Sequence, residues 1–256
     1  MILPVGGLGS RARDVTGDTI PKHLITLRDG RTVLDMVLHG LQAAGLSDFV
    51  LGAGHHADAI EDFVAAGSWR LRPDAVCRVV REARPLGPDG AVLNAITGLD
   101  ISGQCLALPG DLALPWHRLV DLVRTHRARQ ADITMATTSL VTARTTDVGH
   151  IVAEFGTDRL LWCHARDEAR APARAGARIL TSAAALAFSC RAFSRLCAEY
   201  TAAHGPESTL NMRDQVLPWA IRRGGFELQI YDLFGEILDI GTPSAIRYAQ
   251  QELICP

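Results

Sequence analysis

Met1-Ile2-Leu3-Pro4-Val5-Gly6-Gly7-Leu8-Gly9-Ser10-Arg11 opens the chain, and the change from apolar run to glycines within it decides the fold. Five mostly apolar residues predict a buried strand. Glycines directly behind a strand let backbone N–H groups close on phosphate oxygens, because no Cβ stands in their way. Arg11 adds positive charge, and Pro21-Lys22-His23-Leu24 follows at a short distance. The loop lacks the Gly-Lys-Ser/Thr ending of a Walker A motif, and its glycines fall too early for a dinucleotide fingerprint with an acid ~20 residues on. It is therefore read as a phosphate loop of another kind. Of the 26 basic residues Lys22 is the only lysine, which points to a place needing a compact point charge where a planar guanidinium would fit badly.

Outward from this loop, strands and helices alternate. Thr32 to Ala44 places Val33, Met36, Val37, Leu38 and Leu41 at helical spacing before Gly45 stops the run. Strands are predicted at Asp48 to Gly52, Cys77 to Val80 and Cys105 to Leu108, the last running into Pro109-Gly110-Asp111. Helices are predicted at Ala57 to Ala66, Ala91 to Thr97 and Trp116 to Arg129. Each strand hands over to a helix, so right-handed crossovers align the strand ends on one ligand-binding edge. This is the α/β pattern of a mostly parallel sheet covered on both faces. The second half is less regular: strands at Thr134 to Thr138, His150 to Glu154, Ala183 to Phe188 and Glu227 to Tyr231, a loop from Arg166 to Arg178, and helices at Met212 to Arg222 and from Pro243 to Glu252. No linker or repeat divides the chain, which is read as one domain over residues 1–256, with a nucleotide-binding half (1–130) and a smaller lobe with a C-terminal helix (131–256).

Composition narrows the partners. A net charge of -2 and pI near 6.5 give no field to gather nucleic acid or anionic membrane, and neither is expected. The six cysteines show no paired spacing for zinc or redox chemistry, so reduced thiols and a cytoplasmic location are expected. No apolar stretch approaches the ~20 residues of a membrane span.

From Gly6 to Leu24 the chain resembles the sugar-1-phosphate nucleotidylyltransferases, whose Gly-Gly-x-Gly-Thr/Ser-Arg loop is followed by Pro-Lys-x-Leu. Leu86-Gly87-Pro88-Asp89-Gly90-Ala91 is similar to that family's Leu-Gly-Thr-x-Gly-Ala, Leu108-Pro109-Gly110-Asp111 to its Gly-Asp strand end, and Asp239-Ile240-Gly241-Thr242-Pro243 matches its C-terminal motif. The resemblance implies a Rossmann-like, GT-A-type three-layer α/β/α fold with a smaller sugar-binding lobe. It also implies joining of a nucleoside triphosphate, GTP favoured by likeness to mannose- and heptose-1-phosphate guanylyltransferases, to a sugar 1-phosphate with release of pyrophosphate. By the same resemblance Arg11, Lys22 and Asp111 are catalytic, Asp111 and Asp239 hold Mg²⁺, and Leu3, Gly6, Gly7, Gly9, Ser10, Gly87 and Gly90 receive the nucleotide. Gly149, Arg166 and Ser182 then face the sugar phosphate, and a homo-oligomer would be in keeping with the family.

The match departs in the sugar-binding half. The family's Glu-Lys-Pro is replaced by Cys163-His164-Ala165-Arg166, leaving Arg166 or His164 as substitute cation, and its Asn-x-Gly becomes Ser182-Ala183-Ala184. Rival readings are a cytidylyltransferase acting on a phosphorylated alcohol such as phosphocholine, a glycosyltransferase of similar architecture, and a non-catalytic nucleotide-sugar sensor. Leu112 and Ala113 after Asp111 count against the Asp-x-Asp pair of a glycosyltransferase, and retention of Arg11, Lys22, Asp111 and Asp239 counts against the sensor.

Overall fold

The opening residues form strand β1 (Ile2–Pro4), an interior strand of the sheet, in a computed structural model that describes residues 1–7, 9, 12–17, 19–140, 150–163 and 177–253. A short helix α1 (Arg13–Thr16) and a 3-10 turn (Lys22–Leu24) lead to α2 (Val33–Ala43). A capping box starts α2: Thr32 Oγ1 accepts from the Asp35 amide at 3.0 Å, and the Thr32 amide donates to Asp35 Oδ2 at 2.9 Å. Then come β2 (Asp48–Ala53), α3 (Ala57–Ala66), β3 (Val76–Arg81), α4 (Pro88–Gly98), β4 (Gln104–Ala107), the two-residue β5 (Leu112–Ala113) and α5 (His117–Ala128). The second half contributes β6 (Ile133–Thr138), β7 (His150–Glu154), β8 (Leu160–Cys163), β9 (Ala177–Ser189), α6 (Cys190–His204) and a π-turn (Met212–Val216). It closes with α7 (Leu217–Arg223), β10 (Leu228–Asp232), the two-residue β11 (Leu238–Asp239) and α8 (Pro243–Glu252).

The main sheet runs β10-β6-β9-β4-β1-β2-β3, with β7 and β8 attached beyond β9. β1 is parallel to β2 and β4, β2 to β3, and β6 to β10; β9 runs antiparallel between β4 and β6. Side chains on successive strand positions enter opposite cores. Leu3, Leu51 and Leu106 pack with α2, α3, α5 and α8, whereas Ile2, Val50 and Ala107 pack with α4, α6 and α7. Both faces are thus covered, which is why these strands read as unbroken apolar runs. The expected three-layer α/β/α fold with a mostly parallel mixed sheet is observed.

Several local expectations change. No element was read at residues 190–204, where α6 lies. β9 begins at Ala177, so Ala177 and Arg178 belong to a strand and not to the expected loop, and a π-turn occupies the start of the helix expected from Met212. The antiparallel β5–β11 ribbon, pairing Asp239 with Leu112, was also not foreseen.

Candidate active site

At the carboxyl edge of β1, Gly6 and Gly7 turn into a cavity of about 520 Å³. The close packing there explains the glycine: a Cβ on Gly6 would strike the Gly54 amide and come within 2.6 Å of Glu82 Oε1. Gly9 adopts a positive φ of 60°, a turn conformation that suits a residue without a side chain. Gly110 plays the matching part in the turn between β4 and β5. Its amide donates to the Pro4 carbonyl at 3.3 Å, and a Cβ would lie 2.6 Å from Val5 Cγ1 and 3.2 Å from His23 Cδ2. The end of β1, the turn bearing Lys22 and the residue after Gly110 can therefore close together.

That closure joins Lys22 to Asp111. Lys22 Nζ donates to Asp111 Oδ2 in an ion pair whose side chains are 17% and 4% exposed. Lys22 is held by its 3-10 turn, whose end is tied to α2 through the Val33 amide donating to the Ile25 carbonyl at 3.0 Å. Burial, with the Lys22 charge beside it, drives the His23 imidazole down to about 3, so His23 lines the cavity as a neutral ring near pH 7. Asp239 reaches the same cavity through the β5–β11 ribbon, where the Ile240 amide donates to the Asp111 carbonyl at 3.0 Å. Acids from opposite halves of the chain thus meet at one wall.

The charge of the wall tests a metal. Among the described lining residues, Glu82, Asp89, Asp111 and Asp239 carry carboxyls, against Lys22 and Arg213 as fixed cations. A polyphosphate entering with no companion would add to an acidic surplus. Among the described residues no cluster of three or more His, Cys, Asp or Glu forms a closed metal cage. Mg²⁺ needs none, since it takes one or two carboxylates and completes its shell with phosphate oxygens and water. Asp111 and Asp239 suit that donor set.

The opposite wall is the start of α4. Gly87 has φ 81°, and a Cβ there would lie 2.6 Å from the Leu210 carbonyl oxygen, so the backbone of 86–89 clamps directly on Leu210. The Asp89 carboxyl accepts from the Met212 amide at 2.5 Å. Desolvation raises Asp89 from 3.8 to about 7, the Met212 bond offsetting only part of it. The folded protein therefore keeps a proton that the unfolded chain has already released, and stability declines as pH rises from about 4 towards 7. Asp89→Asn retains an acceptor for the Met212 amide and should flatten this decline. Melting temperatures at pH 5 and pH 8 check it: the variant should gain on the parent at pH 8 by more than at pH 5, and an equal difference at both would show that Asp89 ionises freely.

Of the expected site residues, Gly6, Gly7, Lys22, Gly87, Asp111, Ser182 and Asp239 line this one cavity. Leu3 and Gly90 do not. Leu3 is fully buried in the sheet, with Pro4 facing the cavity in its stead, and Gly90 is buried where a Cβ would meet Leu86 Cβ at 2.7 Å, so its role here is close packing of α4. Gly9 also lies outside the lining. Ser10, Arg11, Gly149, His164 and Arg166 fall outside the described residues. Sequence reasoning missed Glu82, Asp89, Asn211 and Arg213 in the lining; only Asp89 stood within a quoted motif.

A mostly parallel sheet whose carboxyl edge bears a glycine turn, a lysine and two convergent acids defines an α/β protein of nucleotidyltransferase type. The family model described as the MobA-like NTP transferase domain matches residues 1–187, and the chain belongs to that family. The bifunctional protein GlmU of Mycobacterium bovis is 33% identical over 143 residues, which cover 55% of this chain and only 28% of GlmU. Among solved structures, HddC from Yersinia pseudotuberculosis complexed with GMP-PN superimposes with a TM-score of 0.71 at 19% identity, covering 98% of this chain and 97% of its own. UTP-bound UGPase from Acinetobacter baumannii gives a TM-score of 0.71 at 17% identity, covering 97% and 90%. These two likenesses establish the fold. Among the described residues no helix is long and apolar enough to cross a membrane.

Proposed function

We propose that this chain condenses a nucleoside triphosphate, GTP by preference, with a sugar 1-phosphate to give a nucleotide sugar and pyrophosphate. The observation that carries the reading is the convergence of Gly6, Gly7, Lys22, Asp111 and Asp239 on a single cavity. In this reaction an oxygen of the sugar phosphate forms a bond to the α-phosphorus while the bond to the β-phosphate oxygen breaks. Repulsion between two anions dominates the barrier, and preorganised positive charge lowers it. Backbone amides of the glycine turn receive the triphosphate, and Lys22, held in place by Asp111, stabilises charge building on the departing pyrophosphate. Asp111 and Asp239 would hold Mg²⁺, which neutralises phosphate oxygens when bound. The neutral His23 adds no charge of its own and excludes water behind Lys22. The choice of guanine rests on the Gly6–Gly9 loop and the Leu86–Ala91 stretch, and that of a sugar phosphate on the order of the motifs along the chain.

The test is a turnover panel: GTP, UTP, ATP, CTP and dTTP, each with mannose, glucose and N-acetylglucosamine 1-phosphates and with phosphocholine, scored by pyrophosphate release. Release with GTP and a sugar 1-phosphate is expected. Release confined to CTP with phosphocholine would replace the sugar reading, and none in any well would indicate a binding protein.

A further inference from the structure

We infer that Arg213 receives the phosphate of the sugar 1-phosphate, supplying a cation in place of the lysine that the family has after its strand and this chain does not. This assignment rests on the nucleotidylyl-transfer reading above. Three observations lead to it.

The first is charge. Among the described lining residues only Lys22 and Arg213 carry fixed positive charge; each is paired with an acid, Asp111 and Asp214, and Lys22 is the one assigned to the triphosphate. A second anionic substrate entering a wall with four carboxyls needs a cation of its own, and Arg213 is the one that remains among the described lining residues.

The second is preorganisation. Arg213 Nε and Nη2 donate to Asp214 Oδ1 and Oδ2 at 2.5 and 2.8 Å. Asp214 is held in turn by Asn211, whose Nδ2 donates to Asp214 Oδ2 at 3.1 Å and whose Oδ1 accepts from the Asp214 amide at 3.0 Å. The π-turn that presents them is closed by the Val216 amide donating to the Asn211 carbonyl at 3.0 Å, an uncommon geometry that recurs at functional sites. The fork is thus fixed before any ligand arrives, while Nη1 has no hydrogen-bond partner among the described residues. Held by its Nε–Nη2 edge, the planar guanidinium offers Nη1 and the second Nη2 hydrogen to the oxygens of a phosphate.

The third is place. The Cys163 thiol at the end of β8 donates to the Arg213 carbonyl at 3.0 Å, fixing the arginine backbone against the strand end from which the resemblance leads one to expect a lysine. The hydrogen bond to Asp214, then that acid's charge, and to the least extent the charge of Asp239 reinforce the protonated guanidinium, so Arg213 stands within electrostatic reach of an acid proposed to hold the metal. An acceptor phosphate gripped there would lie between two sources of positive charge. The glycine turn and Lys22, from the other half of the chain, remain for the triphosphate.

Steady-state kinetics with GTP and whichever of mannose, glucose or N-acetylglucosamine 1-phosphate the parent uses provide the test. Arg213→Ala should raise KM for the sugar 1-phosphate about 10- to 100-fold, the scale of a lost hydrogen bond to a charged group, with KM for GTP within about twofold. Arg213→Lys, which keeps charge and loses the fork, should recover part of the loss; if the alanine variant fails to fold, the lysine variant decides alone, a KM for the sugar 1-phosphate raised severalfold being expected. An unchanged KM for the sugar 1-phosphate, or an equal rise for GTP, would overturn the assignment while leaving the proposed reaction standing. A parent protein idle with every sugar 1-phosphate would remove the proposed reaction and this assignment with it.

Discussion

Lys22→Ala is expected to lower turnover at least ~10²-fold at saturating triphosphate, the scale seen when a preorganised charge stabiliser is removed from an active site. The substitution has two consequences that must be separated. It removes the ammonium from the triphosphate's path, and it deprives Asp111, whose side chain is 4% exposed, of its ion-pair partner. Loss of a partner from a buried pair destabilises the fold. The melting temperature reports the second effect, and turnover well below that transition reports the first. Lys22→Arg sharpens the comparison: it keeps the charge, but the turn at Pro21–Leu24, with Pro21 and His23 buried, leaves a planar fork badly placed, so only weak recovery is expected. Turnover of Lys22→Ala equal to that of the parent would refute the role given to the chain's only lysine.

A larger loss, on the order of 10³-fold, is expected for Asp239→Asn if, as proposed, Asp239 helps hold a divalent ion that offsets phosphate charge in the cavity. The asparagine keeps the side-chain shape and the backbone bonds of the ribbon, so the fold should survive. Titrating MgCl₂ against turnover gives the reading. Half-saturation should move to markedly higher Mg²⁺ than in the parent, with Asp111→Asn showing the same direction. A lowered rate whose Mg²⁺ dependence is unchanged would take Asp239 out of the metal site and leave it a ribbon residue.

The first half of the molecule was legible because its signals are local. Strands buried on both faces appear as short apolar runs, α2 carries its own capping box, and the glycine turn sits directly behind β1. What was not legible depends on contacts distant in sequence. β5 and β11 have two residues each, too few for any periodicity, so the meeting of Asp111 with Asp239 could be expected only from a resemblance and was found only in the tertiary structure. Arg213 shows the same limit. The replacement for the family's lysine was sought in His164 and Arg166, which lie outside the described residues; the fold also brings Arg213, from beyond α6, to the flank of β8. Asp89 stood inside a recognised motif, but its displaced titration comes from burial in the folded protein, which the bond from the Met212 amide only partly offsets. Helix α6 is a different case: Cys190, Phe193, Leu196, Cys197 and Tyr200 recur at helical spacing behind Ser189, whose side chain accepts from the Ala192 amide at 3.1 Å. That signal was present and unread.

The β5–β11 ribbon sets the order in which competence is acquired. As the polypeptide leaves the ribosome, β1 to β4 and the first acid are laid down early, and neighbouring strands can begin to pair. The second acid arrives only after β10, and bringing it home means closing a loop of about half the chain, a late and entropically costly event. A nascent or prematurely terminated product could therefore own a respectable sheet and the glycine turn while having no means of gripping magnesium between two carboxylates. The proposed chemistry would therefore wait until the last tenth of these residues has docked.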